Sequence, residues 1–133
     1  MANFFQIFQK PERHPSPKEV EEVGRSTWTL LHSIAKYYPE TPSPAEEKAI
    51  LSFFESLAIL YPCRKCAWIL GAAAQQKLLN TSSPQALSRS VCSLHNFVNR
   101  ELGKKEVDCL KVFPSIPEKG QSGWLGVFGS LFR

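Results

Sequence analysis

The chain reads as an all-α protein: an antiparallel four-helix bundle with a short fifth helix. Three observations lead there. Apolar residues recur near a 3.6-residue period in four stretches. Short turns rich in Pro, Ser and Asn separate those stretches. No internal repeat and no convincing pair of alternating strands is present. Helices joined by short turns pack as antiparallel neighbours.

Residues 1–18, with Pro11, Pro15 and Pro17, read as an extended lead in which Phe4, Phe5, Ile7 and Phe8 form a short apolar anchor. Residues 19–113 are expected to form the domain. Its first helix runs from Glu19 to Tyr38 on Val20, Val23, Thr27, Leu30, Leu31 and Ile34, and Pro39 ends it. Arg25, Trp28 and His32 share one side of that helix. Ser43, Pro44 and Glu46 read as N-cap, first-position proline and capping-box acid of a second helix reaching about Leu60. Its broad apolar face, including Ile50, Phe54 and Ala58, carries no chemistry. Tyr61-Pro62 breaks it, and a third helix follows from Cys63 to Leu79.

After the Asn80–Pro84 turn a fourth helix spans Gln85 to Glu101, with Gly103 as its left-handed C-terminal residue. Cys92, His95, Asn96 and Asn99 line one face of it. Amides facing a bundle core are costly unless something hydrogen-bonds them, so this face asks for a polar ligand. Lys104 to Phe113 reads as a short fifth helix carrying Cys109. Residues 114–133 read as an irregular tail whose apolar run, Trp124 to Phe132, reads as tail packing or disorder, with a partner-binding or membrane-surface segment as the alternative.

The length of 133 residues suits one domain with a real core. A composition of 43% hydrophobic and 21% charged residues is ordinary for a globular protein. The net charge of +4 comes from scattered Lys and Arg, which leaves room for an anionic ligand. No basic stripe with interleaved aromatics argues for nucleic acid. No apolar run reaches the roughly 18 residues that span a bilayer. The first ten residues lack the charged and apolar regions of a secretory signal.

The chemistry centres on Cys63-Arg64-Lys65-Cys66. Two thiols three positions apart can close a small disulfide ring. At a helix start the dipole, the free N–H groups, Arg64 and Lys65 should all lower the attacking thiol's pKa. Alone, CxxC serves redox, zinc and structural roles alike. Cys63, Cys66, Cys92 and His95 are a formal Cys3His zinc set, but one that lies in helices and leaves Cys109, Trp28, His32, Asn96 and Asn99 unused. A non-catalytic helical binding module held by zinc or disulfides is therefore the alternative reading. A thioredoxin-like enzyme would need a βαβ pattern that is absent. The remaining arrangement pairs Cys63 with Cys66 and Cys92 with Cys109, the second bridge stabilising by about 3 kcal/mol in the chain-entropy model. A redox dithiol must pass its electrons on, and no further cysteine is left to take them. A bound cofactor is the economical answer. Aromatic, His and amide groups on two helices suit a flat, polar-edged ring such as isoalloxazine, with cations for its pyrophosphate.

Four motifs stand in register: Gly24-Arg25-Ser-Thr-Trp28-Thr-Leu-Leu-His32; Tyr61-Pro62-Cys63-x-x-Cys66-Ala67; Cys92-x-x-His95-Asn96-x-Val98-Asn99-x-x-Leu102-Gly103-Lys104; and Asp108-Cys109. Over about Glu21 to Val112 they resemble the Erv/ALR family of FAD-linked sulfhydryl oxidases. The resemblance implies FAD at the bundle mouth and a homodimer. It implies Cys66 as the thiol next to the flavin, Cys63 as the interchange thiol, a structural Cys92–Cys109 bridge and no metal. Gly24, Arg25, Trp28, His32, Tyr61, Cys92, His95, Asn96, Val98, Asn99 and Lys104 match positions of the FAD pocket. The implied activity oxidises protein or small-molecule thiols to disulfides, passing electrons to O2, which gives H2O2, or to a cytochrome c-like acceptor. The implied location is the mitochondrial intermembrane space, with a cytosolic viral-type setting as the alternative. Family members commonly add a shuttle dithiol on a flexible arm, whereas here all four cysteines are accounted for. Trp68 also stands where the family usually has an acid, and Phe113-Pro114-Ser115-Ile116 where it often has a basic residue and Trp.

Overall fold

Helix starts explain much of the architecture. The computed structural model describes residues 13–75 and 78–112. It holds α1 (Pro17–Lys36), α2 (Pro44–Leu60), α3 (Arg64–Gln75), α4 (Pro84–Glu101) and α5 (Cys109–Val112), with no strand among the described residues. α1, α2 and α4 each open on Ser-Pro. Ser16, Ser43 and Ser83 accept a hydrogen bond from the N–H three residues on, at 3.3, 3.2 and 3.1 Å. In α1 and α2 the third residue is Glu, which returns the bond to the serine N–H and completes a capping box. α3 opens differently: the Cys63 carbonyl accepts from Ala67 N–H at 2.9 Å, and its first turn holds no acid.

The structure corrects three expected boundaries. α1 begins at Pro17, inside the expected lead, because Ser16-Pro17-Lys18-Glu19 is itself a capping box. Leu78 and Leu79 lie outside α3, and the Leu78 N–H reaches back to the Ala73 carbonyl at 3.1 Å. α5 is one short turn, since residues 104–108 are irregular and held by Asn96 and Arg100 instead. Gly103 adopts φ 69°, as its cap role requires. The apolar anchor at Phe4–Phe8 and the tail at 114–133 lie outside the described residues.

The bundle packs as two helix pairs, α2 against α3 and α1 against α4. Phe54, Leu31, Leu87 and Val91 fill the core, and Ala58, Ala67 and Ala73 are fully buried. Small residues on α2 and α3 let the two backbones approach. Truncating Phe54 to Ala would cost about 3–5 kcal/mol on these grounds. Tyr38 donates to the Thr81 carbonyl at 2.9 Å and the Thr81 hydroxyl to Glu47 at 2.8 Å, which fixes the loop between α3 and α4. No helix among the described residues is long and apolar enough to cross a membrane.

Candidate active site

The fold leaves a cavity of about 380 Å³ between α1 and α4, with the start of α3 in its wall. Its lining is dictated by helical spacing. Val20, Glu21, Gly24, Arg25 and Trp28 line it from one side of α1, and His95, Val98 and Asn99 from α4. Tyr61, Cys63, Lys65, Cys66 and Leu70 complete it, with Leu102 and Lys104 at the end of α4.

Most of the expected cofactor residues therefore converge: Gly24, Arg25, Trp28, Tyr61, His95, Val98, Asn99 and Lys104. Three do not line the cavity. Cys92 is fully buried and bonded to Cys109. The Asn96 amide donates to the Val107 carbonyl at 2.6 Å and accepts from the Val107 N–H at 2.9 Å, mimicking a strand partner. That pairing, and not a ligand, satisfies Asn96. His32 is buried behind His95, its Nε2 3.1 Å from His95 Nδ1. Sequence reasoning in turn misses Val20 and Glu21, and also Pro17, Thr27, Leu70 and Leu102. The signal for the first two is the Gly24–Trp28 face, extended back one turn.

Trp28 stacks on His95 with centroids 4.1 Å apart and planes 6° from parallel, giving the cavity a flat aromatic wall. Burial holds both imidazoles neutral at ordinary pH. His32 is pushed down to about 3 by burial and then by His95, and His95 to about 4 by burial and then by Lys104. In the bond between them one ring donates and the other accepts. Asn99, only 4% exposed, has no side-chain hydrogen-bond partner among the described residues. Asn99 lines the cavity, so its amide is available there to a polar ligand as both donor and acceptor. A Cβ added at Gly24 would meet only open space. Arg25, Lys65 and Lys104 set three cations against one acid, Glu21, which pairs with Arg25.

Cys63 and Cys66 are both half-buried free thiols with their sulfurs 2.8 Å apart. A small shift closes the ~2.05 Å bond of a disulfide. The expected lowering of the attacking thiol's pKa does not hold for Cys66. Burial, then the hydrogen bond and charge of Cys63, push it up to about 12, against its own backbone N–H and Lys65. Desolvation of the anion outweighs the helix start. The Cys92–Cys109 bridge links α4 to α5 across a Cα separation of 5.8 Å. It removes Cys92 from the Cys3His set, so the zinc form of the alternative reading has lost a ligand.

The model of the Erv1/Alr family matches residues 25–117. FAD-linked sulfhydryl oxidase ERV1 of Arabidopsis thaliana is 35% identical over 101 residues, which are 76% of this chain and 53% of that protein. Mitochondrial FAD-linked sulfhydryl oxidase ERV1 of Saccharomyces cerevisiae is 36% identical over 97 residues, 73% of this chain and 51% of that protein. The chain thus spans about half the length of the curated relatives it matches. The crystal structure of the FAD binding domain of Erv1 from Saccharomyces cerevisiae is similar with a TM-score of 0.64 at 33% identity, covering 72% of this chain and 89% of that one.

Proposed function

Because the chain belongs to the Erv1/Alr family, we propose that it is an FAD-dependent sulfhydryl oxidase working through Cys63 and Cys66. One observation supports this most: the adjacent sulfurs open into the same cavity as the Trp28–His95 stack and the Asn99 amide. FAD is the cofactor these groups fit. Trp28 and His95 offer a flat wall, Asn99 a hydrogen-bonding amide, and Gly24 room where a side chain would intrude. Tyr61 and Val98 add surface, and Arg25 and Lys104 offset the pyrophosphate charge. His32 backs His95 in this wall, while Cys92 and Asn96 hold the segment after α4 against it. FAD bound at this mouth of the bundle would supply a two-electron acceptor for the reduced pair.

The residues themselves carry out thiol–disulfide exchange. A substrate thiolate attacks Cys63 in the Cys63–Cys66 disulfide, forming a mixed disulfide and releasing Cys66. A second substrate thiolate attacks the substrate sulfur of that mixed bond and releases Cys63. Two substrate thiols lose two electrons and two protons, and the pair gains them. While Cys63 is bonded to substrate it has no thiol proton or charge. Both of its upward effects on Cys66 then vanish, so the Cys66 pKa falls from about 12, with burial still raising it against Lys65 and the backbone N–H.

The final acceptor is O2, giving H2O2, or a cytochrome c-like protein. The location is a mitochondrial compartment, the word the yeast relative's name carries, and within it the intermembrane space. The working unit is a homodimer, for which Leu30 on α1 and Tyr37 at its C-cap, both exposed, offer apolar surface. The test is a flavin absorbance spectrum of the purified chain together with oxygen uptake on dithiothreitol. A yellow protein that consumes oxygen supports the proposal, and a colourless inert one overturns it.

A further inference from the structure

One wall of the cavity rests on a residue that does not line it. His95 lines the cavity and stacks on Trp28, while His32 lies behind, 1% exposed. The two imidazole planes are 40° apart with centroids 5.3 Å apart, so they do not stack. What joins them is the 3.1 Å contact of His32 Nε2 with His95 Nδ1, across 63 positions of sequence. α1 thus grips His95 twice, by the face of Trp28 and, one turn on, by a nitrogen of His32. An imidazole turns easily about its last side-chain bond unless a hydrogen bond holds it.

Both rings are buried and neutral, so each carries one N–H. The atoms that meet make the two tautomers a single choice. With the shared proton on His32 Nε2, His95 Nδ1 is bare and His95 carries its own proton on Nε2. With the shared proton on His95 Nδ1, both rings are Nδ1–H forms. The first arrangement gives each ring the Nε2–H form that an unrestrained imidazole side chain prefers, and the second gives each the disfavoured one. Lys104, whose charge also bears on His95, is exposed, where solvent weakens its pull.

We infer that His32 is a positioning residue for the cofactor cavity, holding His95 as its Nε2–H tautomer with its plane along Trp28. His95 Nδ1 faces His32, outside the cavity, so a ligand in the cavity meets His95 through Nε2. In that tautomer His95 is a hydrogen-bond donor, suited to a carbonyl oxygen, a bare ring nitrogen or a phosphate oxygen. His32 touches no ligand and acts through its neighbour. The ligand half of the inference rests on the FAD reading of this cavity.

The test uses the full chain with its histidines labelled with nitrogen-15. Long-range proton–nitrogen spectra at neutral pH tell a protonated ring nitrogen from a bare one. The parent chain should show His95 protonated at Nε2. His32→Met keeps similar bulk and loses the bond. In it His95 should become a mixture of both tautomers, and the Kd for FAD should rise about tenfold, or about 1.4 kcal/mol. His32→Gln keeps a polar group at similar reach, so it should show a single His95 tautomer and a Kd within about threefold of the parent. A His95 proton on Nδ1 in the parent chain overturns the inference. Equal FAD affinities in the Met and Gln variants overturn it too, since His32 would then serve packing alone. Should His32→Met fail to fold, the spectrum of the parent chain still decides. A parent chain that takes up no FAD overturns the cofactor reading, and the inference with it, whatever the His95 spectrum shows.

Discussion

The molecule uses four cysteines as two pairs with opposite properties. Cys92 and Cys109, 17 residues apart, are bonded, and Cys92 is fully buried. The Asn96 amide sits 3.3 Å from Cys109 Sγ and clamps Val107 beside it. Cys63 and Cys66, three residues apart, are half-exposed, unbonded and open to a cavity. Exchange needs a thiolate to approach a disulfide sulfur and needs the leaving sulfur to move away. Burial of Cys92 and the Asn96 clamp beside the part-buried Cys109 deny both to the first pair, and the cavity and the start of α3 allow both in the second. The chemistry of a thiol here is set by access and by what holds its neighbours, more than by the thiol itself.

Breaking the reactive pair should give the largest effect. Cys66→Ser should lower dithiothreitol oxidation by roughly three orders of magnitude or more, since a group that acts as part of a unit is not partly replaceable. The flavin spectrum and the melting temperature should stay close to those of the parent chain. Breaking the inert pair should invert the pattern. Cys109→Ser opens the loop closed across 17 residues, at a cost of about 3 kcal/mol in the chain-entropy model. Melting should fall by on the order of 10 °C, while turnover measured well below the transition persists. Equal losses of activity in both variants would erase the distinction.

Much of this division is legible in the amino-acid sequence. Ser43-Pro44-Ala45-Glu46 announces α2, and CxxC after Tyr61-Pro62 announces the reactive pair. Ser16-Pro17-Lys18-Glu19 is the same capping box, yet the prolines around it make it read as lead. The sequence overstates α5 because 104–108 carries no strong breaker, and Asn96 settles the matter by pairing with Val107 from another helix. That long-range partner has no local signature, which is also why Asn96 reads as a ligand. The Cys66 pKa escapes sequence reasoning for a related reason. The helix start and the two cations are visible in sequence, whereas desolvation depends on what α1 and α3 pack around the sulfur. Asn99 is legible as an amide on the functional face, and only the fold separates its unpaired state from the paired state of Asn96.

The Asn96 clamp offers a gentler way to sharpen the contrast. Asn96→Ala removes both bonds to Val107 and the contact with Cys109. Losing a partner of half-buried backbone groups costs about 1–3 kcal/mol, less than losing the bridge itself when the loop can find water. Dithiothreitol should then reduce Cys92–Cys109 faster in the native protein, read as extra thiol titre over time at constant total denatured thiol. An unchanged rate would mean that burial alone protects the bridge.

The smallest effect concerns the proton on Cys66. In the reduced protein its thiol is held up to about 12 against an ordinary 9.0, by burial first and by Cys63 second. Between those values the unfolded chain has lost the proton and the folded chain keeps it, so the folded state binds more protons. Stability of the reduced protein should therefore fall as pH rises above 9.0. Cys63→Ala removes the neighbouring thiol and leaves the burial. The Cys66 midpoint, followed as alkylation of its peptide by mass spectrometry across pH, should drop below about 12 yet stay above 9.0. A midpoint that does not move would mean that Cys63 exerts no hold on its neighbour's proton. The reactive pair would then be two independent half-buried thiols, distinguished from the inert pair by exposure alone.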